Sequence, residues 1–380
     1  MTTQASAPPP STKSQALRSY DVADFPALTG LEEDWRFTPL KRLRGLTGVP
    51  AATGAVRHEH DDLPEGVTIT RVGRDDERIG SVLTPVDRVS ALAYGAATDA
   101  LLVRVAPEAV LGEPVRVRVV GTGVEQPAFG HTFVEVGRFA ETTLVVEHVG
   151  SATLADNVEV AVADGAKLTL VTIADWADDA VQAQHLKIKL GRDAKVIHIQ
   201  VSLGGDLVRQ FTTVEYTGRG GEAELYGVYF ADSGQHLEHR QLVDHNVPDC
   251  RSYVGYRGAL QGADAHTVWV GDVLIQAEAT GTDTYEINRN LLLTDGARAD
   301  SVPNLEIETG EIAGAGHASA TGRFDDEQLF YLMARGIPEG EARRLVVRGF
   351  FAELINKIPV ESLRERLGEA IEARLTKAGA

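Results

Sequence analysis

A short turn of small residues followed by a β-branched strand recurs along this chain at near-constant spacing. It appears as GAKLTL at Gly165, DAKVIHI at Asp193, GEAELYG at Gly221, ADAHTV at Ala263 and GARADSV at Gly296. The marker alanines Ala166, Ala194, Ala223, Ala265 and Ala297 are 28, 29, 42 and 32 residues apart. A period of about 30 residues is a strong constraint, because a unit that short cannot bury its own hydrophobic face and must stack on its neighbours. The steps fit successive coils of a parallel β-helix, with the 42-residue step taken as a coil carrying a loop insertion. A β-sandwich is the competing architecture.

Between Val67 and Ile312 the pattern is period-two and β-branched, as in VTITRV, VRVRVV, KLTLVTI and TVWVGDVLI. Strands broken by Gly/Asp turns, without helical crossovers, favour an all-β body over a doubly wound sheet. The predicted fold is mainly β, a right-handed parallel β-helix core over residues 66–322 with helical segments at both ends. Residues 1–20, rich in Ser, Thr, Ala and Pro, are expected to be a disordered leader. Residues 21–65 form an expected N-terminal helical region, in which Leu28 to Leu46 makes a small cap anchored by Trp35 and Phe37.

Residues 323–380 carry an expected C-terminal helical domain. Asp325 and Gln328 have capping-box spacing, and Gly336 is placed to end the helix they start. Pro338 suits the first turn of a second helix that stops before Pro359, and Leu363, Leu367, Ile371 and Leu375 mark a third. In the middle helix Val346, Val347, Phe350 and Phe351 occupy more than one face. Such a helix needs deep burial or a second partner.

The 43% hydrophobic and 24% charged composition is that of a globular protein with a large core. Cys250 is the single cysteine, which excludes an internal disulfide and any zinc or iron-sulfur site needing several thiolates from this chain. The net charge of -18 disfavours nucleic acid and anionic lipid as partners. The start lacks a basic segment followed by an apolar one, and no apolar run is long enough to cross a bilayer. The cytoplasm is the expected compartment.

Motifs for catalysis are sparse. No GxxxxGK[ST] loop is present, the glycines of AGAGHASATG lack GxGxxG spacing, and no GxSxG elbow occurs. The densest set of metal-ligand types is QHLEHRQLVDHNVPDC, with His236, His239, His245, Asp244, Asp249 and Cys250. Its spacing matches no common zinc signature, and His236 and His239, three apart, diverge on a strand. Solvent-facing and strand-end roles are the stronger reading. Cys250 is expected to be a small buried residue unless Arg251 lowers its pKa. The acidic first turn Asp325, Asp326 and Glu327 is explained by the helix N-terminus. A β-helix also raises the alternative of a carbohydrate-active enzyme, but Lys187, Lys189, Glu215 and Glu224 are scattered and no aromatic ladder is apparent. His317, among Gly314, Ala315, Gly316, Ala318 and Ser319, has small neighbours that leave its imidazole open to a ligand or another backbone. A turn histidine bonded to its own loop is the plain alternative.

EEDWRFTPL, RNLLLTDGARADSVPNLEI, GHASATGRFDDEQLFYLMARGI and EARRLVVRGFFAEL, taken in this order, resemble the SufB/SufD family of iron-sulfur cluster assembly proteins. The resemblance runs from about Leu31 to Lys357. Its SufD branch fits better than its SufB branch. SufB-like chains carry a cysteine implicated in cluster assembly where this chain has Ala297. SufD-like chains often read Cys-Ser-His where this chain has Ala315, Gly316 and His317.

The resemblance implies a non-catalytic scaffold subunit that pairs with SufB through β-helix edges near the C-terminal coils. It implies docking of the ATPase SufC on the helical tail, for which Arg344, Phe350 and Phe351 are the candidate contacts. His317 is then the candidate metal ligand, holding iron or a nascent cluster shared with SufB. A neutral imidazole is a competent borderline ligand for iron. A flavin is a further cofactor to consider for such a complex, and no motif here marks a place for one. A SufB-type main scaffold is the remaining alternative.

Overall fold

The computed structural model describes residues 13–50, 52–324 and 326–377. Its body is a parallel β-solenoid whose coils each contribute one strand to each of two facing sheets. The first sheet stacks β6 (Lys167–Trp176), β8 (Lys195–Ser202), β10 (Glu222–Ala231), β12 (Arg251–Leu260), β14 (Asp283–Leu292) and β16 (Gly314–Arg323). The second stacks β7 (Val181–Leu190), β9 (Leu207–Tyr216), β11 (His236–His245), β13 (His266–Ile275) and β15 (Arg298–Ile307). Both spring from the long strand β5 (Glu141–Val162), whose first half pairs with β6 and whose second half pairs with β7. Below it lie β4 (Val115–Val136), parallel to β5, and β3 (Asp99–Val105), parallel to β4. The N-terminal strands β1 (Val56–His60) and β2 (Val67–Gly73) pair antiparallel with β4 and β3.

The turns explain the repeat. A residue in the left-handed conformation sits two positions before most strands: Phe139, Gly165, Asp193, Gly220, Asp249 and Gly281 in the first sheet, Gly234, Asp264 and Gly296 in the second. A small residue usually follows, and the exceptions Gln235 and Thr282 hydrogen-bond within their own turns. The 42-residue step proves to be a jump between sheets rather than a loop insertion, since Ala223 lies in β10 and Ala265 precedes β13. In register, the positions equivalent to Ala166 and Ala194 are Gly221 and Cys250. Half-coils of both sheets use the same turn chemistry, so sequence similarity alone could not assign them.

Inside the solenoid, large and small residues alternate between coils. The Tyr256 ring lies over Gly227 and the Tyr229 ring over Gly258, and a Cβ on either glycine would come within 1.9 Å of the ring. The interior is also partly polar. Tyr256 donates to Gln200 Oε1 at 2.9 Å, Tyr229 donates to Asn290 Oδ1 at 2.6 Å, and His239 stacks on Tyr229 at 4.7 Å between ring centres.

The N-terminal region differs from expectation. The leader expected over residues 1–20 falls outside the described residues as far as residue 12, and from Lys13 the chain is packed on the body. Tyr20 donates to the Gly80 carbonyl at 2.7 Å and packs against Tyr94. Among the described residues of 21–65 the helical elements are the 3-10 turns Val22–Asp24 and Leu40–Leu43, followed by β1, rather than an α-helical cap. Gly30, Pro39 and the left-handed Arg44 interrupt helical hydrogen bonding there. Tertiary contacts fix this segment on the outer face of the second sheet. The Arg209 guanidinium lies 3.8 Å from the Trp35 ring centre, Arg240 donates to Asp34 at 2.6 Å, and Thr38 donates to the buried Glu238 at 2.7 Å. The α-helix in this part, α1 (Arg88–Ala96), was not anticipated. Asp87 caps it by accepting from the Ser90 amide, and Val89 and Ala93 pack beside Trp35.

The tail follows its sequence signals. Asp325 of the expected capping box lies outside the described residues, whereas α2 (Asp326–Ala334) ends before Gly336, whose φ is 87°. Then come α3 (Glu339–Ile355) and α4 (Glu361–Lys377). They fold back over the outer face of the first sheet, where Val347, Phe351, Leu354, Leu363, Leu367 and Ile371 cover Ile173, Ile199, Val201, Val228 and Phe230. Each such side chain contributes about 1.5–3 kcal/mol on burial.

Two outcomes test this packing. Gly258→Ala drives a methyl into the Tyr229 ring and is expected to cost about 1–3 kcal/mol, read as a lower denaturant midpoint with unchanged slope. His185, His198, His239 and His245 are each pushed by burial down to about 3. The unfolded chain, whose histidines titrate near 6.5, therefore binds more protons below that pH. Their stabilising neutrality is fully present above about 6.5 and is lost toward pH 3, at about 1.4 kcal/mol per histidine per pH unit. Denaturant midpoints should fall steeply between pH 7.5 and 5.5, and equal midpoints would refute the account.

Candidate functional site at the open end of the solenoid

β15 and β16 are the last strands of the two sheets, and each has a ladder neighbour on one side only. Among the described residues no further coil closes this end. Alternation along β16 sends Ala315, His317 and Ser319 toward the interior and Gly316 and Ala318 outward. His317 is the Cα partner of Glu286 on β14, one coil below, and its side chain is 42% exposed, with no described strand stacked above it.

The small neighbours have structural uses as well. A Cβ on Gly316 would sit 3.1 Å from the Tyr285 ring, so this glycine seats that ring on the outer face. Ala315 packs against the group formed by Val273, Ile275 and Ala279. The openness of His317 comes from its place at the last coil more than from these residues.

His317 is not the only chemically competent side chain here. The Glu286 carboxyl is fully buried, its Oε1 lies 3.9 Å from His317 Nδ1, and neither of its oxygens has a hydrogen bond of normal geometry. Burial, followed by the charge of Asp272, pushes it up to about 8 against the lowering pull of the Asn304 backbone amide. Sequence reading missed it because the alternation misleads here: in DTYEINRN the apolar Tyr285 and Ile287 face outward, and the polar Thr284, Glu286, Asn288 and Asn290 face inward. Inward polar residues continue away from it. Asn288 donates to Tyr229 at 2.8 Å, and Asn290 donates to Ser301 at 3.0 Å and to Thr321 at 3.3 Å.

The other candidates lie elsewhere. Against the solvent-facing reading, all three histidines are buried: His239 and His245 point inward, each stacked on a tyrosine, while His236 points outward but is covered by Glu238 and His266. Asp244 accepts from Gln276, and Asp249 is a left-handed turn residue paired with Arg219. Among the described residues no three His, Cys, Asp or Glu side chains converge on one metal position. Cys250 is buried in its turn, and burial raises its thiol pKa, while Arg251 points to solvent. That is an inert, structural cysteine.

Two further expectations need correction. An aromatic ladder does exist on the outer face of the first sheet: Tyr226, Tyr253 and Tyr285 follow one another with ring centres 5.7 and 6.4 Å apart. Coil stacking aligns residues that the sequence separates. The Lys357 ammonium sits 5.0 Å from the Tyr226 ring centre, so the ladder begins at the seam with the helical tail. Phe351, a candidate docking contact, is fully buried against the solenoid and cannot present its ring to another protein. Phe350 and Arg344 are half-buried. The exposed apolar side chains of the tail are instead Phe330, Tyr331 and Met333 on α2 and Leu345 on α3. Among the described residues no helix is long and apolar enough to cross a membrane.

Fold and end geometry place the chain among parallel β-solenoids with a folded-back helical tail. The family described as SUF system FeS cluster assembly, SufBD core domain, matches residues 119–350, and the chain belongs to this family. A SufBD family iron-sulfur cluster assembly protein of Mycobacterium bovis is 56% identical over 370 residues, covering 96% of this chain and 93% of its own length. One of Mycobacterium leprae is 54% identical over 370 residues, with 96% and 94% coverage. The iron-sulfur cluster assembly protein SufD of Bacillus subtilis is 28% identical over 272 residues, covering 69% of this chain and 61% of its own. The chain is thus a SufBD family protein of iron-sulfur cluster assembly, which sets aside the carbohydrate-active reading.

Because Phe351 is core, Phe351→Ala is expected to lower stability by about 3–5 kcal/mol. Thermal denaturation of the chain alone checks this, and an unchanged midpoint would place the ring outside the core.

Proposed function

We propose that this chain is a SufD-type subunit that pairs with SufB, docks the ATPase SufC and supports iron acquisition during cluster assembly in the cytoplasm. The observation that carries the reading is His317, half-exposed at a solenoid end where both terminal strands keep an unpaired edge. Such edges are templates for pairing with another chain. Pairing there would set His317 beside the partner's own ligands. Iron or the nascent cluster is cargo, so mixed ligation shared across an interface favours release over storage.

Ala297 and the buried, structural Cys250 favour the SufD-type role over that of a main SufB scaffold. The likeness to SufD of Bacillus subtilis supports the same choice. SufC would dock on the tail through Phe330, Tyr331, Met333 and Leu345, the apolar side chains that the solenoid leaves uncovered. ATP hydrolysis is assigned to SufC, and no catalytic step to this chain.

The test is co-expression with SufB and SufC, followed by anaerobic reconstitution with iron and sulfide. His317→Ala is expected to leave the complex intact by size exclusion while cutting cluster absorbance several-fold. Normal cluster yield in that variant, or failure of the wild type to co-purify with SufB and SufC, would sink the proposal.

A further inference from the structure

One imidazole holds a metal ion weakly, and the chain carries a second donor beside it. Glu286 lies directly below His317 in the parallel ladder, fully buried; the Asn304 backbone amide approaches its carboxyl group, but neither oxygen has a hydrogen bond of normal geometry. A buried carboxyl group without a partner is costly, and native proteins rarely keep one that serves nothing. Its position is also built for it. On β13, in the facing sheet, Gly271 leaves the space that the carboxyl group fills, and a Cβ there would come within 2.4 Å of Glu286 Oε2. The group therefore occupies a cradle formed by both sheets, one coil below the open C-terminal end of the solenoid.

We propose that Glu286 and His317 together form a two-donor site for one divalent first-row transition-metal ion. Imidazole nitrogen with carboxylate oxygen is a donor pair suited to Fe(II), Mn(II), Co(II) or Zn(II). Ligand bonds of about 2.0–2.2 Å to each donor require the two to lie within about 4 Å of one another. The observed separation of 3.9 Å meets that limit, and a small side-chain rotation brings both donors onto a common ion. Neither donor needs the partner subunit. This inference deepens the proposed function and rests on iron being the cargo handled at His317, but it adds that the chain takes up the ion alone. Two protein donors leave the remaining coordination positions to water, to sulfide or to ligands of a second chain, which suits a site that passes its ion on.

The test uses the full chain without partners and cobalt(II) as the probe, followed by d–d absorption and calorimetry. The wild type should bind one ion per chain with the spectrum of a nitrogen- and oxygen-ligated centre. His317→Ala and Glu286→Gln should each weaken binding about tenfold or more, and the double variant should lose little beyond either single one. The glutamine is isosteric and uncharged, so that variant is expected to melt at or above the wild-type temperature. Wild-type affinity in Glu286→Gln with loss in His317→Ala overturns the two-donor site and leaves the histidine's role standing. Binding unchanged in every variant overturns the site altogether, while cluster yield of His317→Ala in the SufB and SufC complex decides the broader reading separately. A melting temperature well below wild type in Glu286→Gln would show that the carboxyl group has a structural partner, and that also overturns the proposal.

Discussion

Everything in this molecule depends on one coil stacking on the next. A single coil offers two short strands, and its inward side chains are covered only when another coil sits above and below. Parallel ladders hold the stack in register, so that each inward residue meets its counterpart about 30 residues away. The tyrosine and glycine pairs of β10 and β12 show how tightly the register is fixed: a slip by one residue would turn both rings outward.

Stacking also leaves ends, and the two ends are treated differently. At the N-terminal end the antiparallel strands β1 and β2 pair with β4 and β3. At the C-terminal end no further strand among the described residues pairs with β15 or β16, and the helical tail that follows them folds back along the outer face of the first sheet. The tail thereby leaves the last coil open. The most unusual group of the interior, Glu286, lies just beneath that opening with His317 above it. A fully buried carboxyl group in mid-solenoid would be an uncompensated cost, whereas at the last coil it is one side chain away from solvent and from whatever covers the end.

Much of the architecture was legible beforehand. Alternation in VTITRV, KLTLVTI and TVWVGDVLI reported strands, because side chains on a strand face opposite ways and one face of each strand lines the core. Gly336, Pro338 and the Leu363, Leu367 and Ile371 series reported helix ends and faces through local rules that need no tertiary partner. The N-terminal segment from Leu28 to Leu46 misled for the converse reason. Its helix-forming composition is overridden by Arg209, Arg240 and Glu238, which capture Trp35, Asp34 and Thr38 on the second sheet. Phe351 was recognised as needing cover, but sequence could not say that the solenoid itself supplies it.

By itself, the sequence determined the coil period, the strand and turn alternation, the folded helical tail and a histidine with small neighbours at their junction. Only the tertiary structure decided which sheet each strand joins, because half-coils of both sheets carry the same turn chemistry and the step from Ala223 to Ala265 crosses between them. It alone placed Glu286 against His317 as well. These residues are far apart along the chain and become neighbours through the pairing of β14 with β16, a relation set by coil length and register.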